Sequence, residues 1–132
     1  MVDERYKYSE LTGKIIRCAM EVHSTLRNGF QEFIYQKALE IEMAGQGIAF
    51  AREFEMPLSY KGQQIGSRRV DFLVENCISV ELKAVIQLEN AHLAQALNYL
   101  EIYNLEVGLL INFGSTRLDF RRLVNKKFTP DL

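Results

Sequence analysis

The sequence is poor in the residue types that define several protein classes. It has no tryptophan, two prolines and two cysteines in 132 residues. Cys18 and Cys77 are too few for a disulfide framework and lack CxxC spacing. The two histidines, His23 and His92, lack the i, i+4 spacing of a helical zinc pair. We therefore do not expect a zinc site built from these four residues.

Long apolar runs are also missing from the chain. No stretch approaches the ~20 apolar residues of a membrane span, and the N-terminal MVDERYKYSE is too polar for a secretory signal. We therefore expect a cytoplasmic protein with no membrane partner. With 48% apolar and 25% charged residues, the composition is that of a globular chain. Its length suits one core, so we expect a single domain over residues 1–132.

A strong net charge is the third feature that the chain lacks. Its 16 basic and 17 acidic residues give a net charge of −1. Tight non-specific binding to nucleic acid depends on many basic contacts, so the overall charge argues against it. A polyanion would have to meet a local cluster such as Arg68-Arg69, Arg121-Arg122 or Lys126-Lys127.

The spacing of apolar residues predicts a mixed sheet flanked by helices, an α/β (α+β) class. The predicted helices cover residues 9–27, 31–44 and 88–103. The predicted strands cover residues 48–56, two strands within 68–84, then 107–112 and 118–124, with a hairpin turn at 61–64. The polar tail, residues 125–132, is expected to be flexible.

The two strands within residues 68–84 have a register that side-chain parity predicts. A three-residue loop, 75–77, places Val74 opposite Ile78 and keeps the apolar faces together. A slip by one residue would turn one face over, so this register is favoured. It places Asp71 opposite Glu81, and Arg69 opposite Lys83.

Two opposed carboxylates repel each other, so their placement needs an explanation. Lys83, two residues after Glu81, offsets part of the repulsion. A divalent cation between Asp71 and Glu81 would offset more. The alternative is a solvated sheet face with an ordinary cluster of ion pairs. The spacing by itself leaves both interpretations open.

These residues resemble a known family. Asp71 and Glu81-Leu82-Lys83, with the helices before them, are similar to the PD-(D/E)xK nuclease superfamily, although Val70 stands where the motif has proline. The segment 29–35, GFQEFIY, resembles the motif of the GxxExxY family within it. The similarity extends from Leu11 to Arg122 and includes the segments VELKAV, AQALNYL and GLLINFG.

The resemblance implies a restriction-endonuclease-like core, with a central four-stranded mixed sheet flanked by helices. It also implies that Asp71, Glu81 and Glu32 bind Mg²⁺ or Mn²⁺ and that Lys83 positions the attacking water. For Glu32, a first-turn acid that stabilises the helix dipole is the alternative interpretation.

Further site residues come from the same resemblance and from local charge. Gln95 and Tyr99 match a QxxxY element beside the site, Gln95 as a catalytic residue and Tyr99 as a substrate contact. Tyr35, three residues after Glu32, can face the sheet with it and is a further expected substrate contact. Arg68, Arg69 and Lys61 are the nearest basic residues in the sequence that could contact the substrate backbone.

Three hypotheses about function follow. The first is a Mg²⁺-dependent phosphodiesterase, an enzyme that acts on DNA or RNA. The second is a non-catalytic module that binds nucleic acid or protein on a nuclease-like fold. The third is a structural protein whose charged hairpin face forms an oligomer interface; a symmetric homodimer is compatible with a domain of this size.

Overall fold

The computed structural model describes residues 8–130 and shows an α+β arrangement, as predicted. The helices are α1 (Ser9–Leu26), α2 (Glu32–Gly45) and α3 (Asn90–Ile102). The strands are β1 (Phe50–Tyr60), β2 (Gln63–Val74), β3 (Ile78–Lys83), β4 (Val107–Asn112) and β5 (Asp119–Val124). Within residues 8–130, none of these helices combines the length and the apolar composition that a bilayer crossing requires.

The strands form one mixed sheet in the order β1-β2-β3-β4-β5. The pair β3–β4 is parallel, and the other neighbours are antiparallel. Helix α3 connects the two parallel strands, as a crossover between parallel strands requires. The described part of the chain therefore has five strands in its sheet, one more than the resemblance implied.

The main core lies between the sheet and the helices α1 and α2. Alternate residues of the central strands, such as Val80 and Leu109, point to this face and are fully or almost fully buried. Ile15 of α1 and Leu39 of α2 pack against them. A smaller apolar cluster around Leu110 lies on the opposite face, where α3 packs. The sheet is therefore covered on both sides along its central strands.

The first strand is longer than predicted. We expected it to end at Met56, before Pro57, but β1 continues to Tyr60. That expectation was wrong because β1 is an edge strand that pairs only with β2, where a proline without an N–H is tolerated. The turn at Lys61 and Gly62 has φ angles of 48° and 80°, the left-handed values of a two-residue hairpin turn.

Hydrogen bonds connect the segment after β5 to the end of α3. Asn125 is 3% exposed, and its Nδ2 donates to the carbonyls of Leu100 and Leu105. The backbone N–H of Thr129 donates to Oδ1 of Asn104 at 2.9 Å. Residues 131–132 of the predicted flexible tail lie outside the described residues, so the flexibility of the tail stays a prediction.

Candidate active site

The strands β2 and β3 separate at Asp71. Their ladder pairs Val74 with Ile78 and Phe72 with Val80, so the predicted loop at 75–77 and its register are confirmed. The ladder ends at Phe72 and Val80, one residue before the position where this register sets Asp71 opposite Glu81, so these two residues form no backbone pair. There, Oδ2 of Asp71 accepts a hydrogen bond from the N–H of Leu82 at 2.8 Å. The side chain of Asp71 thus accepts a hydrogen bond from the backbone of the neighbouring strand, at the point where the two strands separate.

Asp71 is a half-buried carboxylate with defined partners. Its other oxygen, Oδ1, accepts a hydrogen bond from Nε2 of Gln36 at 2.9 Å. Burial raises the pKa of Asp71, and the hydrogen bonds from Leu82 and Gln36 and the charges of Lys83 and Arg69 reduce that rise. Both oxygens are therefore oriented by the protein, and each keeps a lone pair for a further contact.

Glu81 is the most buried acidic side chain of this region. It lies in the central strand β3 and is 8% exposed. Its Oε1 has no hydrogen-bond partner, since Nη2 of Arg68 lies 3.8 Å away, too far for a hydrogen bond. Burial raises the pKa of Glu81, the cations of Arg68 and Lys83 lower it, and the carboxylates of Asp71 and Glu32 raise it further. The interpretation as a solvated sheet face is therefore wrong for this position.

Glu32 and Gln36 bring helix α2 close to Asp71. We call the carboxyl groups of Glu32, Asp71 and Glu81 the carboxylate cluster, or the cluster. Glu32 is the first residue of α2, and Gln36 lies one turn later on the same side. Although Glu32 as a whole is exposed, burial of its carboxyl group is the largest cause of its raised pKa, followed by the charge of Asp71; Lys83 lowers this pKa. The three predicted acidic residues thus lie close enough to act on one another electrostatically.

Lys83 is the cation that these three carboxyl groups share. It is half-buried at the end of β3, directly after the strands separate. Its charge lowers the pKa of each of the three acids. The predicted set of three acids and one lysine is therefore brought together by the ends of β2, β3 and α2.

Arg68 is placed differently from the prediction. Its Nη1 donates to Oδ1 of Asn98 at 2.8 Å, and its Nη2 donates to the carbonyl of Gln95 at 2.6 Å. With Glu81 at 3.8 Å, the guanidinium links β2 to α3 and faces a cluster carboxylate. These contacts favour a role in positioning Glu81 over the predicted contact with the substrate backbone.

The two predicted residues on α3 differ in exposure. The side chain of Gln95 is exposed, so it is accessible to a substrate. Tyr99 is fully buried, and its hydroxyl has no hydrogen-bond partner. Burial raises its pKa above the ordinary range for tyrosine, and the neighbouring Tyr103 and the charge of Glu81 add to the rise. Tyr99 therefore lies beside the cluster, beneath the surface of α3.

The structure places the other two predicted contacts outside the cluster. Tyr35 is fully buried and stacked on Phe113, and its hydroxyl donates to the carbonyl of Arg27 at 2.6 Å. These contacts favour a structural role for Tyr35. Arg69 is exposed and lies 3.9 Å from Glu53. It remains accessible to a substrate beside Asp71, whose pKa it lowers.

Two polar residues of the site were missed by the prediction from sequence. Gln36 holds Asp71, and Asn98 holds Arg68. The spacing of Gln36 four residues after Glu32 was a usable signal, because residues at i and i+4 share a helix face. Asn98 has no comparable signal, since one exposed asparagine on a helix matches no motif.

Comparisons with known proteins agree with this fold. The sequence profile of the PD-(D/E)XK nuclease superfamily matches residues 9–123. Among solved structures, the crystal structure of SSO0001 is similar, with a TM-score of 0.54 and 18% sequence identity. The match covers 70% of this chain and 48% of that chain, so this chain spans about half the length of SSO0001. At this identity the likeness shows the fold alone. A comparison with curated proteins gave no significant match.

Proposed function

Since the chain belongs to the PD-(D/E)XK nuclease superfamily, we propose that it is a metal-dependent nuclease that hydrolyses phosphodiester bonds in DNA or RNA. Asp71 and Glu81 supply the metal ligands, and Lys83 positions the attacking water. The observation that carries the proposal is the buried Oε1 of Glu81, which has no hydrogen-bond partner and only the guanidinium of Arg68 nearby, at 3.8 Å. A buried carboxylate oxygen without a partner is unfavourable, and a bound cation would offset that cost.

The residues present fit a hard divalent cation such as Mg²⁺ or Mn²⁺. Within residues 8–130, no group of three or more His, Cys, Asp or Glu side chains is placed so that it could hold a metal ion. Mg²⁺ does not require such a group, because it is usually held through one or two carboxylates with waters and substrate phosphates. Asp71 and Glu81 are the proposed pair. Glu32 does not complete a three-residue metal group with them in the described part of the chain, so its role as a ligand stays a prediction. An all-oxygen set does not favour zinc.

The chemistry follows from the positions of these side chains. A bound Mg²⁺ would polarise the scissile phosphate and lower the pKa of a coordinated water. Lys83, an ammonium group with three donors, orients that water and stabilises the negative charge that develops on the phosphate. Arg68 holds Glu81 from the side of α3. Gln95 and Arg69, both exposed, remain the proposed contacts to the substrate.

A non-catalytic binding module is less well supported. Burial raises the pKa of both Asp71 and Glu81, which shows that the fold holds two carboxylates where their charge is unfavourable. A surface that only binds a polyanion gains nothing from such a pair, because the carboxylates repel phosphate.

The GxxExxY family is the finer assignment that we propose, and the motif residues have separate structural functions. Gly29 has a φ of 120°, a left-handed value that other residues rarely adopt. Glu32 begins α2 at the cluster. The hydroxyl of Tyr35 accepts from the N–H of Phe30 and donates to the carbonyl of Arg27, closing the loop before α2. The motif residues therefore stabilise the loop before α2, and this loop places Glu32 at the start of the helix.

Cleavage assays with added Mg²⁺ or Mn²⁺ test the proposal. Substrates should include single-stranded DNA, duplex DNA and RNA. We expect metal-dependent cleavage of at least one of them by the wild type and its loss in Asp71→Asn and in Lys83→Ala. Glu21→Gln, an exposed residue of α1, is the control and should retain activity. Failure of the wild type on all three substrates would contradict the enzyme proposal. The expected homodimer and cytoplasmic location stay predictions, the first of which gel filtration can test.

A further inference from the structure

A cavity of about 530 Å³ lies beyond Lys83, outside the carboxylate cluster. Its size is in the range of small-ligand sites. Three loops form it: the one between α1 and α2, the one between β3 and α3, and the one between β4 and β5. Its lining includes Asn28, Ile86, Ser115, Thr116, Arg117 and Asp119. We call this cavity the loop pocket.

The loop pocket is built directly onto the strand end that carries Lys83. Lys83 is the register partner of Asn112 in the parallel pair β3–β4. The next residue, Phe113, donates its N–H to the carbonyl of Lys83 at 2.8 Å. The β4–β5 loop therefore starts beside Lys83. The carboxyl ends of these two parallel strands point to the same edge of the sheet, as in other sites built on parallel strands.

The walls of the loop pocket are held by buried polar contacts. Asn112 is fully buried, and its Oδ1 accepts from the N–H groups of Val85 and Gly114, each at 3.0 Å. Its Nδ2 donates to the carbonyl of Val85 at 2.9 Å. On the side of α1, Nε2 of the buried His23 lies 3.0 Å from the carbonyl of Ser115. Hydrogen bonds thus connect the β3–α3 loop to the β4–β5 loop, and the β4–β5 loop to α1. The pocket is therefore preformed.

The charge in the loop pocket is positive. Arg117 is exposed, and its guanidinium has no hydrogen-bond or ion-pair partner in the part of the chain that the structure describes. The one acidic lining residue, Asp119, is bonded to Arg121 and is therefore compensated. Thr116 and Asn28 add polar groups that can donate hydrogen bonds. An unpaired guanidinium with such neighbours is suited to a phosphate group.

One large apolar side chain that lines the loop pocket is exposed to solvent. Ile86 is 90% exposed, the highest exposure among the large apolar residues that the structure describes as exposed. It lies three residues after Lys83 in the sequence and lines the cavity. An exposed apolar side chain beside a phosphate site can contact the sugar or base of a nucleotide.

We propose that the loop pocket binds a backbone phosphate of the strand that is being cut, with Arg117 contacting the phosphate and Ile86 the attached nucleoside. This inference rests on the proposed function, because it assigns the substrate strand a path from the carboxylate cluster past Lys83. It adds a substrate-positioning site on the β4–β5 loop, in a part of the chain where the sequence patterns indicated no site.

Binding measured without cleavage tests the inference. Fluorescence anisotropy with labelled single-stranded DNA and RNA oligonucleotides, in the absence of divalent metal, gives the affinity at several salt concentrations. Arg117→Gln is expected to weaken binding about tenfold and to reduce the slope of log K against log salt by roughly 0.7, the value for one phosphate contact on a single strand. Arg117→Lys should restore the slope, since it keeps the charge. Ile86→Ser should weaken binding and leave the slope unchanged.

Arg17→Gln is the matched control. Arg17 is an exposed arginine that lines a separate groove between α1 and α2. A wild-type slope in Arg117→Gln, or an equal loss of slope in Arg17→Gln, would overturn the inference. If the wild type cleaves while Arg117→Gln binds normally, only the loop pocket is refuted. If the wild type binds through Arg117 but never cleaves, the proposed nuclease function fails and the pocket stands. If the wild type neither binds nor cleaves, both fail.

Discussion

Replacement of Gly114 by alanine tests the close approach of two loops next to Lys83. A Cβ at Gly114 would overlap the backbone nitrogen and the backbone oxygen of Val85. Both atoms are backbone, so no flexible side chain can move away. The same substitution at Gly13, in α1, meets only Nη1 of Arg17 at 3.4 Å. Gly13→Ala is therefore the matched control.

The cost follows from the contacts that the new methyl group would break. Overpacking a tight site costs about 1–3 kcal/mol, and a shift of either loop would also strain the hydrogen bonds of Asn112, each worth about 1 kcal/mol. We expect Gly114→Ala to lower the free energy of unfolding by about 3 kcal/mol, or the Tm by about 10 °C. Gly13→Ala should raise stability by up to about 1 kcal/mol, because alanine is the better helix former.

Urea unfolding followed by circular dichroism measures both variants. The opposite signs of the two changes are the critical result, since the substitution is the same and only the surroundings differ. A Gly114→Ala protein within about 0.5 kcal/mol of the wild type, the range of neutral surface substitutions, would refute the packing argument. It would also show that the β3–α3 and β4–β5 loops move easily, which contradicts a preformed loop pocket.

Three further predictions concern the carboxylate cluster and its supports. Burial raises the pKa of Glu32, Asp71 and Glu81. These groups therefore make their full contribution to the free energy of unfolding below the ordinary carboxyl pKa of about 4. That contribution is lost as the pH rises through their raised pKa values in the folded protein. The Tm of the metal-free wild type should fall as the pH rises over this interval. An equally steep fall in the double variant Asp71→Asn/Glu81→Gln would contradict the assignment of the fall to these carboxyl groups. Gln36→Leu removes a donor to Asp71 and should weaken Mn²⁺ binding about tenfold in calorimetry; an unchanged Kd would count against it. Arg68→Gln removes two hydrogen bonds to α3 and should destabilise the fold by about 1–2 kcal/mol in urea, and wild-type stability would exclude that role.

Side-chain parity was a reliable guide where one face of a strand is buried. It predicted the loop at 75–77 and the pairing of Val74 with Ile78, because any slip would expose apolar residues. It was no guide one residue beyond the ladder. There the carboxylate of Asp71 accepts a hydrogen bond from the N–H of Leu82. The periodicity of a sequence cannot show that a side chain takes the place of a backbone carbonyl as the acceptor.

The partners of amide side chains were the part of the site that the sequence revealed least. Asn112 ends an apolar run and carries three strong hydrogen bonds, yet its neighbours alone suggest an ordinary strand end. Asn98 and Gln36 likewise act through partners that are distant in the chain. Asn98 and Asn112 carry no charge and match no motif in the sequence, so their partners become visible only in three dimensions.

The pair Arg68-Arg69 shows why local charge is a weak predictor of substrate contacts. Adjacent strand residues point in opposite directions, so the two side chains cannot serve one surface. The side chain of Arg68 contacts α3 and Glu81, whereas that of Arg69 is exposed and lies beside Glu53. The charge of an arginine is available to a substrate only where no acidic group or carbonyl already engages it.

The most direct test of the central claim is a crystal soaked in Mn²⁺ and measured at a wavelength where manganese scatters anomalously. We predict an anomalous peak within coordination distance of both Oε1 of Glu81 and a carboxylate oxygen of Asp71. The peak should be absent from crystals of Asp71→Asn treated in the same way. An anomalous peak elsewhere on the chain, or none at a Mn²⁺ concentration that saturates binding in solution, would contradict the assignment of these two carboxylates as the metal site.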